Sequence, residues 1–98
     1  LIYSAEAERQ IDDLRRHYLA RDRIEAVRNL IAALAQAETR IEANPAAGLP
    51  APRPYPSVAR PDRAWVKVGR YWVAYSTTKP TMIVAVFHDT ANIPARTI

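Results

Sequence analysis

Apolar positions along the chain repeat near every 3.6 residues in its first half and every second residue in part of its second half. LIYS reads as a short first strand over 1–4, and Ser4 is a good N-cap for a helix beginning at Ala5. Across 5–19, Ala7, Ile11, Leu14 and Tyr18 are spaced four, three and four apart, which puts one apolar stripe on that helix. Its acidic residues fall early and its basic ones late, as the helix dipole favours. Ala20 and Arg21 break the pattern, and Asp22 with Glu25 three residues on forms a capping box for a second helix over 23–43. Ile24, Val27, Ile31, Leu34 and Ile41 make its stripe, with Leu30 and Ala37 widening it, and Asn44-Pro45 ends it.

The period-two region spans 64–88 and predicts a three-stranded antiparallel meander, AWVKV, YWVAYST and MIVAVFH. Gly69-Arg70 fits a two-residue type II′ hairpin turn, and Thr78-Lys79-Pro80 joins the second pair. Alternation sets Val66 and Val68 opposite Trp65 and Lys67, and Tyr71, Val73 and Tyr75 opposite Trp72, Ala74 and Ser76. One face reads as core. The other carries Trp65, Lys67 and Trp72, which either form a binding surface or pack as a ladder beneath a loop or tail.

Between helices and meander, 45–61 holds six of the eight prolines and reads as an extended, polyproline-like crossover. Residues 89–98 read as a tail that can dock along the sheet. The class is therefore α+β: an N-terminal strand, a helical hairpin, then a meander packed on the helices.

Ninety-eight residues make one domain with one core, and 49% apolar with 24% charged residues is an ordinary globular balance. The net charge of +4 favours acidic partners, whether nucleic acid or an acidic protein segment. The absence of cysteine rules out disulfides, thiolate metal sites and a cysteine nucleophile, and suits a reducing cytoplasm, the expected location. No apolar run is long enough to span a bilayer, and neither a signal peptide nor a membrane partner is expected.

Gly48 and Gly69 do not form a phosphate-binding loop. With His17 and His88 as the only histidines, no metal site and no cofactor are expected; His17 reads as a surface residue. His88 closes the last strand beside Asp89, where it can either transfer protons near Lys67 or cap the strand and bond the tail. Arg53, Arg60, Arg63 and Arg70 form either a phosphate-holding rim or a solvated surface.

IYSAEAERQIDDL, IEANPAAGLPAP, WVKVGRYWVAY and VFHDTANIPAR, in that order, resemble the RelE/ParE superfamily of bacterial toxins from type II toxin-antitoxin modules. The ParE, or plasmid-stabilisation, branch is the nearer likeness. The resemblance implies a small antiparallel sheet on a helical hairpin, held inactive in a hetero-oligomer by a ParD-like antitoxin that folds as it wraps the helices and sheet edge. Tyr18, Leu19, Leu30 and Trp72 are the expected anchors.

RelE-like members cleave messenger RNA on the ribosome with cations on the open sheet face. This sequence has Trp72 where those nucleases carry arginine, and Trp65 with Lys67 in place of two alternating cations. ParE-like members resemble gyrase poisons that act by protein-protein contact. The resemblance therefore favours inhibition of DNA gyrase, with Trp65, Lys67, Arg70, Trp72, His88 and Arg96 as the target-binding set. A divergent ribonuclease using Lys67, Arg70 and His88 is the enzymatic alternative, and a non-toxic, antitoxin-binding relative is a third.

Overall fold

The Ser4 hydroxyl accepts the backbone N–H of Ala7 at 3.1 Å and opens helix α1, Ala5–Leu19. The structure, a computed structural model, describes residues 1–96. Strand β1 (Ile2–Tyr3) leads into α1, helix α2 (Ile24–Ala43) comes next, and β2 (Arg63–Val68), β3 (Tyr71–Ser76) and β4 (Met82–His88) form the meander. A four-residue helix, α3 (Ile93–Arg96), ends the described chain. The expected tail thus contains a helical turn, and its last two residues lie outside the described part.

Sheet order is β1-β4-β3-β2, with β1 parallel to β4 and the meander pairs antiparallel. The Val68↔Tyr71 pair closes the two-residue turn, where Gly69 alone has a left-handed φ of 56°, the type II′ requirement. In β4 the register slips: Ala74 faces Ala85 but Tyr75 faces Ile83, leaving Val84 as an extra residue. That bulge lets Ile83 and Val86, three apart in sequence, share the helix-facing side.

The main core lies between the sheet and the helical hairpin. Val66, Val68, Tyr71, Val73, Tyr75, Ile83 and Val86 of the sheet meet Ala7, Tyr18, Ala26, Leu30, Ala33, Ala37 and Ile41 of the helices. The buried face of α2 is thus rotated from the expected stripe. Ile24 and Ile31 stand 51% and 58% exposed, and Val27 and Leu34 are half-buried. Alanines at 26, 33 and 37 let the α2 backbone approach the bulky sheet side chains, so close packing rather than side-chain size chooses the inward face.

The connection between helices also departs from expectation. Asp22 does not cap α2: it adopts a left-handed φ of 53°, and Arg23 is the cap residue without a side-chain bond. The Arg23 N–H reaches the Tyr18 carbonyl and the Asp22 N–H the Leu19 carbonyl, at 2.9 and 3.1 Å. This Schellman-type pair satisfies carbonyls at the end of α1 and turns the chain into α2.

The proline-rich crossover is not uniformly extended. It forms two short 3₁₀ turns, Pro45–Ala47 and Pro56–Val58, and Leu49 exchanges both backbone hydrogen bonds with Trp65 at the outer edge of β2. Gly48 sits where a Cβ would collide with the Tyr75 hydroxyl and Ala64, and that hydroxyl donates to the Pro45 carbonyl at 2.6 Å. Thus anchored, the crossover lies over the face of the sheet away from the helices.

Candidate interaction surfaces

A second, smaller core fills that outer face. Trp65, Trp72, Ala74, Ala85, Phe87 and Ile93 are buried there, with Leu49, Tyr55, Val58, Val84 and Ala91 packed around them. Trp65 stacks on Phe87 at a centroid distance of 6.2 Å and is 1% exposed, while Trp72 is 4% exposed. The reading of Trp65 and Trp72 as surface target contacts is therefore corrected: crossover and α3 cover both rings. Sheet alternation correctly separates the two faces, but it cannot reveal that a loop distant in sequence seals the second one.

Cations ring this sealed face. Lys67 Nζ lies 5.7 Å and Arg53 6.0 Å from the centre of the Trp72 ring, and Arg96 lies 5.9 Å from that of Phe87. Such placements hold the positive heads against π faces while leaving them wet.

The strand ends bring three expected site residues to one carboxylate. Asp89 pairs with Arg70 Nε at 3.1 Å and Lys67 Nζ at 3.7 Å, and His88 Nδ1 lies 3.3 Å from it. The His88 nitrogen accepts the Thr90 backbone N–H at 3.2 Å and lies 2.8 Å from its hydroxyl. In the neutral ring this pattern puts the proton on Nε2, so the Asp89 contact is not a hydrogen bond and its shielded Oδ1 has no other partner. His88 thus ties strand end to tail. Asp89, which the sequence pattern does not single out as a functional residue, offsets the charge that Lys67 and Arg70 would offer a phosphate.

On the helix side, a groove of about 610 Å³ opens between α2 and the β2-β3 turn. Tyr18, Arg23, Arg70, Tyr71 and His88 are among its walls. The Tyr18 and Tyr71 hydroxyls meet at 2.5 Å, and His88 stands edge-on to the Tyr71 ring at 5.4 Å. Burial, then the bond to Tyr18, pushes the Tyr71 phenol well above its ordinary range, with Arg23 pulling weakly the other way.

The expected antitoxin anchors divide. Leu19 is 47% exposed, but Tyr18, Leu30 and Trp72 are buried and offer no free surface. Among the described residues, the other exposed large apolar side chains are Ile24 and Ile31 on α2 and Leu1 and Ile2 at the amino end. A helical stripe turned outward is indistinguishable in sequence from one turned inward, which is why Ile24 and Ile31 read as core until the fold is known.

A family profile described as "ParE toxin of type II toxin-antitoxin system, parDE" matches residues 1–93. The chain belongs to the ParE toxin family. No curated protein matches the sequence. As a ParE-family member the chain is the toxin of a type II module, and such a toxin has an antitoxin partner. Among the described residues of this ParE-family chain, no cluster of three metal-ligating side chains occurs and no helix is long and apolar enough to cross a membrane.

Proposed function

We propose that the chain is neutralised by a ParD-like antitoxin in a hetero-oligomer and, when free, inhibits DNA gyrase by protein-protein contact. The observation carrying this reading is the sealed outer face of the sheet. Where the resembling nucleases expose cations to RNA, Trp65, Trp72 and Phe87 form a packed aromatic core. Lys67 and Arg70 are paired with Asp89. A ribonuclease transition state needs preorganised positive charge, and each lost donor weakens its stabilisation by about 3 kcal/mol.

The surface left for gyrase is the cationic rim, Lys67, Arg70 and Arg96 with Arg53 and His88. For the antitoxin, the exposed apolar residues Leu19, Ile24 and Ile31 supply the area that a segment folding on contact must bury.

Pulse-labelling of DNA and protein synthesis just after induction of the chain alone tests the target. DNA synthesis is expected to fall first, and co-expression of the neighbouring antitoxin gene to restore it. Purified toxin should trap cleaved DNA with gyrase in vitro. An earlier fall in protein synthesis with cleaved messenger RNA, abolished by Lys67→Ala, would instead establish the nuclease.

A further inference from the structure

The groove between α2 and the β2-β3 turn shares Arg70 and His88 with the cationic rim, but its Tyr18, Arg23 and Tyr71 are used by neither the gyrase reading nor the exposed antitoxin stripe. At its wall, Tyr18 and Tyr71 are each about nineteen-twentieths buried, at 5% and 4% exposure. Two hydroxyls carry two protons, and their mutual bond uses only one. The second has no protein acceptor among the described residues, which leaves it available to a group that enters the groove.

The charged side chains lining the groove are cationic, with the Asp89 carboxylate acting on Tyr71 from outside the lining. The lining includes Arg23, Arg70 and His88 and no carboxylate-bearing residue. Arg70 is already bound to Asp89 behind the groove, whereas Arg23 has no acidic partner among the described residues and sits 5.5 Å over the Tyr18 ring. Ala26, Ala32, Ala33 and Gly69 line it without bulk, leaving room for a main chain to approach, and Asn29 and Gln36 offer amide groups. Burial keeps the Tyr71 phenol protonated, and therefore a donor, at any physiological pH.

We infer that this groove binds an acidic side chain, aspartate or glutamate, presented on a segment of a partner protein, with Arg23 and the Tyr18-Tyr71 hydroxyl pair as its receptors. One unpaired guanidinium and one spare hydroxyl proton match a singly charged carboxylate. A phosphate dianion would demand more positive charge than the groove leaves free. The assignment stands on the groove alone and holds whatever the toxin's cellular target is.

The test uses the whole chain labelled with ¹⁵N and titrated with the blocked peptide N-acetyl-Ala-Glu-Ala-amide. The glutamine version and inorganic phosphate, at matched ionic strength, are the comparators. The glutamate peptide should give saturable shifts at Arg23 Nε and at the Gly69 and Tyr71 amides, with the glutamine peptide about tenfold weaker or worse. Arg23→Gln, a change to an exposed side chain, should weaken binding about tenfold while leaving the circular dichroism spectrum intact. The double variant Tyr18→Phe with Tyr71→Phe should do likewise, since removing both buried partners together leaves neither unsatisfied. Equal response to both peptides, unchanged affinity in Arg23→Gln, or phosphate binding more tightly than the glutamate peptide would each overturn the assignment.

Discussion

Trp72 shows how one residue's environment decides its role. With Lys67 and Arg53 against its ring and the crossover above it, it is a packing element of the outer core. Trp72→Ala is expected to lower unfolding stability by about 3–5 kcal/mol, the usual loss for deleting a large buried aromatic. Urea denaturation measures this directly; a midpoint unchanged from wild type would mean the ring is free to contact a target. Asp89 pairs with Lys67 and Arg70 and lies against the His88 ring. In sequence, only the His88-Asp89 pair at a strand end hints at its importance.

On the helices, Asp22 holds a left-handed conformation at the α1-α2 connection, which a side chain bearing a Cβ resists and glycine accepts freely. Asp22→Gly should therefore raise stability by about 0.5–1 kcal/mol despite the entropy glycine adds to the unfolded chain. A lowered melting temperature would mean that the aspartate side chain contributes more than its backbone strain removes. On α2, Ile31 points away from both cores. Ile31→Lys should leave unfolding stability within about 0.5 kcal/mol of wild type, as expected of a surface site. It should weaken antitoxin binding about tenfold or more if Ile31 is an interface anchor. Calorimetric titration with the antitoxin, run beside a denaturation curve, separates the two effects.

At the scale of the whole molecule, buried phenols link folding to alkaline pH. Burial raises Tyr71, Tyr3 and Tyr75 above the ordinary phenol range, with bonds to Tyr18 and Glu38 adding to the first two. A raised folded-state value means that, above the unfolded value of about 10, the unfolded chain loses these protons while the folded one keeps them. The contribution is fully present below pH ~10 and is lost as pH rises from there through the folded values. Urea midpoints should accordingly decline above pH ~10, and Tyr71→Phe should make that decline shallower. An equal slope in wild type and variant would show that Tyr71 ionises as readily in the folded chain as in the unfolded one.

Local pattern was sufficient for the first strand, the two long helices and the meander, and for their order, but not for α3 or the 3₁₀ turns of the crossover. Helical stripes, the Ser4 cap, the proline block and period-two alternation locate β1, both long helices and the three-strand meander, because each depends on neighbours a few residues away. The family resemblance rests on the same segments and holds across residues 1–93. Sequence by itself could not decide which side of α2 faces inward, since that depends on how closely three alanines let its backbone approach the sheet. It could not place β1 against β4, or show the Val84 bulge that turns Ile83 and Val86 to the same side. Nor could it tell that the crossover closes over Trp65 and Trp72, or that Tyr18 and Tyr71, 53 positions apart, join their hydroxyls beside Arg23. These features require long-range packing, in which a side chain's neighbours are chosen by the fold of the whole chain and leave no periodic trace in the sequence.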